Sequence, residues 1–367
     1  MKKARWLPLM LIVAMFLTGC SQKAVAPKED TSPMEELTSV EAKDQKEDAQ
    51  ESIEIQKIET EKETETETET KTETKEEIPK ELRIPNMDGE SVFSKVPEKI
   101  FCNEINLTEI LLELGLKDKI VAIAGDEFNQ EDALPEHLDD MKSLKYAGDF
   151  LSLEAVIATG CDFIYSNPTS YSETYTLADF NEKNIDVYAC RSNYVQCATI
   201  EDVYTDIENL GKIFHIEDTA KELIEKLRTR QKEVEAKRDE TKKPVDVFVF
   251  DFGDAEVLTA GAGLVSDIIK SAGGHNVFED VEKPWAMVSW EEIVARNPQV
   301  ILVHVYPRND ATFEEKVQQL KENPILKDLD AVKNDRFVKV PLIENFAGIQ
   351  MFNGMERIQE GLKDCAD

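Results

Sequence analysis

The chain has 367 residues, enough for one or two domains with real cores, and carries 43 basic against 75 acidic residues, a formal net charge of −32. A surface of that sign repels polyanions, and no basic stripe offsets it, so nucleic-acid binding is excluded.

Residues 1–20 form a targeting segment: Lys2, Lys3 and Arg5 give a positive start, and Leu7 to Leu17 an apolar run too short for a stable membrane span. The segment ends in Leu17-Thr18-Gly19-Cys20, which resembles a bacterial lipobox. That resemblance implies cleavage before Cys20, lipid on its thiol, and anchorage to the outer face of the bacterial cytoplasmic membrane. Several acyl chains are needed, because one alone binds only marginally. Residues 21–90 read as a disordered acidic linker. Up to residue 80 they hold 19 acidic and 9 basic side chains, ending in the repeat ETEKETETETETKTETKEE, with too little apolar surface to offset chain entropy. Residues 81–367 keep a net charge of −25.

Residues 91–198 alternate short strands with helices: strands at 99–102, 119–124, 162–165 and 185–189, helices at 107–114, 152–159 and near 174–182. Such alternation predicts an α/β lobe with a mainly parallel sheet, whose ligand crevice lies beyond the carboxyl ends of the strands. Those ends carry Asn103-Glu104-Ile105-Asn106, Ser166-Asn167-Pro168 and Cys190-Arg191-Ser192-Asn193-Tyr194, so Asn167, Arg191 and Tyr194 are candidate ligand contacts. The planar fork of Arg191 suits a carboxylate or anionic chelate, or else an ion pair with a local acid. Five cysteines follow Cys20: Cys102, Cys161, Cys190, Cys197 and Cys365. An odd number leaves one thiol unpaired unless chains cross-link; Cys190 and Cys197 flank a loop that a disulfide could close, and all five free is the other reading.

Residues 199–242 are helical. Within them 218–239 has apolar side chains at Ala220, Leu223, Ile224, Leu227 and Val234, one face of a helix about 30 Å long. Asp218 and Thr219 are its candidate caps, and Pro244 stops it. The reading is a rigid spacer between two α/β lobes. In the second lobe, residues 243–367, Val245–Phe250 is an apolar strand followed by Phe252-Gly253-Asp254. A helix follows near 264–271, then strands at 299–305 and 336–340, and a last helix at 349–362. Trp285 after Pro284 reads as a loop residue, and Trp290 as a packing residue at a helix start. Phe252, Trp285, Tyr306, Arg308, Asn345 and Phe346 complete the crevice candidates.

In the second lobe, SDIIKSAGGHNVFEDV, the following tryptophan and VSWEEIVARNPQVILV resemble the C-terminal lobe of iron-siderophore and cobalamin-type substrate-binding proteins of ABC importers. KIFCNEINLTEILLELGLKDKIVAIAG and SLEAVIATGCDFIYS resemble the first lobe, so the likeness runs from about residue 96 to 362 in family order. It implies two Rossmann-like lobes on a long backbone helix that capture a ligand rather than convert it. The chain would then partner an ABC permease and its ATPase; the sequence shows no sign of obligate oligomerisation, so a monomer is expected. In the family one glutamate at the tip of each lobe pairs with permease arginines, and position matching puts these at Glu154 and Glu291. Both also sit where a helix dipole favours acids. The resemblance implies a metal chelate as cargo, with an iron-siderophore complex first and a corrinoid or haem second, and no resident cofactor. Trp285 falls where some members present a tryptophan to the ligand.

A receptor for bare zinc or manganese usually needs several paired histidines. The four here, His137, His215, His275 and His304, show no such spacing, and His304 within VILVHVY reads as a core residue. An enzyme is disfavoured by the lack of GxSxG, HExxH and GxxxxGK patterns.

Overall fold

The computed structural model describes residues 81–87, 89–125, 128–148, 152–167, 176–307, 311–363 and 365. The signal segment, Cys20, the acidic repeat and Arg308 lie outside them. The described chain begins with a hairpin of β1 (Leu82–Asn86) and β2 (Gly89–Phe93). Residues 82–90 were expected to be linker; instead Ile84 and Phe93 are buried, and two polar side chains fasten the hairpin to the first lobe. Asn86 Nδ2 and Ser91 Oγ donate to the Val187 carbonyl at 2.8 and 2.6 Å, and Ala189 N donates to Asn86 Oδ1 at 3.2 Å. The hairpin thus covers polar backbone of the strand at that edge of the first sheet.

The first lobe contains β3 (Ile100–Asn103), α1 (Ile105–Glu113), β4 (Ile120–Ala124), α2 (Leu138–Ser143), α3 (Leu153–Ala158), β5 (Phe163–Ser166), α4 (Leu177–Asn181) and β6 (Asp186–Ala189). Its strands form a parallel sheet in the order β4-β3-β5-β6. All four residues of β3 and of β5 are buried, as strands covered on both faces must be.

Two helices follow, α5 (Ile200–Phe214) and α6 (Glu217–Glu235). The spacer expected at 218–239 is therefore shorter at its end, and neither Asp218 nor Thr219 caps it. The N-cap position is Ile216, with no side-chain cap bond, because the chain arrives directly from α5 through His215 at φ 54. The two helices meet closely at Gly211, where a Cβ would lie 2.6 Å from Ala220 Cβ. The apolar face read from the sequence is the buried one: Ala220, Leu223, Leu227 and Val234. The pair touches both lobes. Lys226 pairs with Glu113 of α1 at 2.9 Å, and Ile200 N donates to Asp267 of the second lobe at 3.0 Å.

The second lobe contains β7 (Val245–Phe250), β8 (Phe252–Gly253), β9 (Glu256–Ala260), α7 (Leu264–Ser271), β10 (Gly274–Asn276), β11 (Trp285–Ser289), α8 (Trp290–Arg296), β12 (Val300–Val305), α9 (Phe313–Glu322), α10 (Asp330–Lys333), β13 (Phe337–Pro341) and α11 (Met351–Leu362). A parallel sheet runs β10-β7-β12-β13, and a small antiparallel sheet runs β11-β9-β8. Arg230 of α6 binds Glu356 at 2.8 Å and Asn353 of α11 at 2.5 Å, closing the frame on this side. One apolar core runs from β3 and β5 through α5 and α6 to β7, α7 and α11. The fold is therefore α/β with two mainly parallel lobes on a helical backbone.

Candidate functional site: the cleft between the lobes

The first-lobe wall is chain that leaves the carboxyl end of parallel strand β6, and the second-lobe wall joins chain that leaves β13 to the starts of α7 and β11. Ser192 and Asn193, after β6, face Leu264, Val265, Pro284, Trp285, Asn345, Phe346 and Ala347 across a cavity of about 50 Å³. Pockets for small ligands occupy roughly 300–1,000 Å³, so the lobes stand closed here and must separate to admit one.

The second-lobe wall rests on a buried polar network. Asp251 follows β7, His304 lies in β12, and Asn345 follows β13; their exposures are 2%, 0% and 2%. His304 Nδ1 is 3.0 Å from Asp251 Oδ1, and Asn345 Nδ2 is 2.5 Å from His304 Nε2. In this arrangement the amide donates to Nε2, which puts the ring proton on Nδ1, shared with Asp251. Tyr306 donates its hydroxyl to both Asp251 oxygens, at 3.0 and 2.9 Å. Lys316 Nζ donates to the Asp251 and His304 carbonyls at 2.9 and 3.0 Å. The Trp285 ring stands edge-on to His304, centroids 5.8 Å apart. Trp285 was expected in a loop but is the first residue of β11, paired with Ala260, so the sheet fixes its direction. Trp290 packs as read, stacked on Phe250.

The first-lobe wall is the turn Arg191–Asn193 between β6 and α5. Arg191 reaches Asp202 Oδ1 with Nε at 3.2 Å and Nη2 at 3.0 Å, so its fork is spent on a protein carboxylate. Beneath it, Asp206 is fully buried and accepts from Tyr188 Oη at 2.7 Å, Cys190 Sγ at 3.4 Å and Arg191 N at 3.1 Å. Burial pushes the Asp206 carboxyl up to about 7 against the three hydrogen bonds that favour its charge. The Cys190 thiol therefore points inward, and no bond joins it to Cys197. All five cysteines are free, four buried and Cys197 exposed at φ 53 in the segment leading to α5.

Asn167 and Tyr194 are half-buried at the ends of the first-lobe strands, whereas Phe252 is 49% exposed on β8 and does not line the cavity. Sequence reasoning missed Ser192, Asn193, Leu264 and Val265 as lining residues. It also missed a pattern of buried amide oxygens without hydrogen-bond partners in the structure, at Asn103, Asn106 and Asn345. Asn103 ends β3, Asn106 stands in the first turn of α1 and Asn345 follows β13, and such groups mark places where a donor from another molecule gains. Beside the cleft the lobes meet in a seam. Asn106 Nδ2 donates to Ala347 O at 2.6 Å, and Gln350 Nε2 to Glu109 Oε2 at 3.0 Å and Asp132 O at 2.8 Å. Phe346 meets Phe128 edge-on at 5.4 Å.

Glu154 and Glu291 occupy equivalent places in their lobes. Ser152 caps α3 and Ser289 caps α8, and each glutamate sits two residues after its cap. Hydrogen bonds from its own backbone amide and from Ser152 hold the Glu154 carboxyl below its ordinary value.

Two parallel-sheet lobes on a helical backbone, with an amide- and aromatic-lined cleft at the facing strand ends, define a two-lobed binding protein. Residues 102–342 match the family described as periplasmic binding protein, and the chain belongs to that family. Proteins of this family are extracytoplasmic, substrate-binding rather than catalytic, and serve ABC importers. Among curated relatives, the chain is 22% identical over 234 residues to a vitamin B12-binding protein of Vibrio parahaemolyticus, covering 62% of this chain and 80% of that one. It is 24% identical over 276 residues to the uncharacterised ABC transporter substrate-binding lipoprotein YvrC of Bacillus subtilis, covering 73% and 81%. Among solved structures, a periplasmic binding protein from Veillonella parvula aligns with TM-score 0.70 at 27% identity, over 77% of this chain and 98% of that one. An ABC-type Fe3+-hydroxamate transport system structure from Saccharomonospora viridis aligns with TM-score 0.65 at 23% identity, over 78% and 100%.

Proposed function

We propose that the protein captures a metal chelate, with an iron-siderophore complex as the first choice, between its two lobes and delivers it to an ABC permease and ATPase. The observation that carries this is the cleft wall itself: an indole held by β11 beside the buried amide of Asn345, whose oxygen has no hydrogen-bond partner in the structure. A flat apolar ring and a few fixed polar groups suit a bulky complex with a ligand periphery, not a bare ion. Both ring nitrogens of His304 are engaged by Asp251 and Asn345, which leaves no lone pair turned to a metal. Iron is cargo in this reading, and no resident cofactor takes part. Asn167, Tyr194, Trp285, Asn345 and Phe346 contact the ligand, and Tyr306 braces the wall through Asp251. Arg191 holds the first-lobe lip through Asp202. Glu154 and Glu291 dock on the permease, where exposed pairs contribute register and on-rate more than affinity. Lipid on Cys20 keeps the protein at the membrane.

A corrinoid is the second reading, favoured by the breadth of the Trp285 ring and by the name of the Vibrio relative. Titrating intrinsic tryptophan fluorescence with ferric hydroxamate, ferric catecholate, cobalamin and haem separates the classes. Saturable quenching by one of them, lost in Trp285→Ala with the fold intact, is the expected outcome. No response to any, together with a thermal shift on adding zinc or manganese, overturns the chelate reading in favour of a bare-metal receptor.

A further inference from the structure

The small antiparallel sheet has one face in the second-lobe core and one face outside it. Val257 and Val288 point inward, packed with Phe250, Phe278 and Trp290. On the other face the strand register lines up three apolar side chains, because Met287 pairs with Leu258 and Leu258 with Phe252. Residues directly opposite in an antiparallel pair share a face, as do residues two apart along a strand, so Trp285 belongs to the same face. Met287 is 51% and Phe252 49% exposed, the two most exposed large apolar side chains among the described residues. With strands about 4.8 Å apart, the row spans about 10 Å, and Trp285 lies about 7 Å along β11 from its end.

We propose that this row is a shelf for an apolar arm, acyl or aryl, of the same ligand whose chelating head lies in the cleft. The substrate class is then an amphiphilic chelate. The inference rests on the chelate reading above. The ligand is the occupant because the row is continuous with the cleft: Trp285 is at once a wall of the cavity and the inner end of the shelf. Phe252 directly follows Asp251, the anchor of the His304 and Tyr306 network, so the shelf is tied to that wall by backbone. The net charge of −25 on residues 81–367 neither attracts nor repels an uncharged arm, and removal of apolar surface from water is the force left to hold it.

The test is calorimetric titration of the full chain with a ferric trihydroxamate and with the same chelate bearing a phenylbutyl arm. The arm is expected to tighten binding about tenfold or more. Met287→Ser is expected to erase that gain while leaving the affinity for the unarmed chelate unchanged. Equal affinity for the two chelates overturns the shelf and leaves the chelate reading standing. Binding of neither overturns both. Concentration-dependent dimerisation abolished by Met287→Ser assigns the row to a second copy of the chain and also overturns the proposal.

Discussion

Asp206 shows how one buried carboxyl organises a cleft from behind. It holds the Arg191 amide, the Cys190 thiol and the Tyr188 hydroxyl, and Tyr188 in turn accepts from Asn209 at 2.8 Å. Because burial raises its pKa from 3.8 to about 7, the folded state holds a proton that the unfolded chain releases. Its contribution to stability is complete below about 3.8 and is lost as pH rises through about 7, at most on the order of 4 kcal/mol. Asp206→Asn should therefore flatten the fall of melting temperature between pH 5 and 8; an unchanged slope would refute the assignment. Little of this was legible from residue order. Arg191 was found by its place after a strand, but Asp202 and Asp206 lie on the next helix, and only the fold brings them to it. His304 was rightly read as a core residue, yet Asp251 and Asn345 come from other strand ends, so its bonds could not be foreseen. Asn345 and Phe346 were singled out because they sit just past a strand, and Trp285 because of the family resemblance; all three line the cavity.

At the scale of elements, the junction of α5 and α6 turns on a glycine. An alanine in a helix interior is ordinarily worth about 1 kcal/mol more than glycine. At position 211 the added methyl would lie 2.6 Å from Ala220 Cβ, and overpacking typically costs about 1–3 kcal/mol. Gly211→Ala is thus expected to lose about 1 kcal/mol net in urea denaturation, and adding Ala220→Gly should recover part of it. A more stable Gly211→Ala would show that the helices separate freely. Apart from the three-residue β10, the parallel strands and the long helices α5, α6 and α11 were read from the sequence within a few residues, since each is a continuous apolar run or a 3.6-residue period. The β1–β2 hairpin and the β11-β9-β8 sheet were not. Their strands have two to five residues, and the hairpin follows closely in sequence on the acidic repeat, whose composition masks its alternation.

At the scale of the whole molecule, the seam beside the cleft and the continuous core through α5 and α6 oppose opening. The seam bonds join groups that water can satisfy equally well once exposed, so each contributes only about 1 kcal/mol to the closed state. Asn106→Ala with Gln350→Ala should shift the population toward separated lobes. Small-angle scattering is expected to give a larger radius of gyration for the double variant without ligand. Identical profiles would mean that the helical backbone alone sets the angle. The two-lobed plan was legible in the sequence, because the order of strands and helices on either side of the spacer repeats. The closed arrangement was not, since it depends on contacts such as Asn106 with Ala347, 241 residues apart.

The distribution of the thiols has a practical meaning. With Cys102, Cys161, Cys190 and Cys365 sealed inside, Cys197 is the single exposed thiol among the described residues, and it sits a few residues from the first-lobe lip. The chain thus carries a ready attachment point for an environment-sensitive dye, set between the lip and the backbone helices. A receptor of this kind becomes a reagentless optical sensor for its own cargo, without one substitution in the folded part.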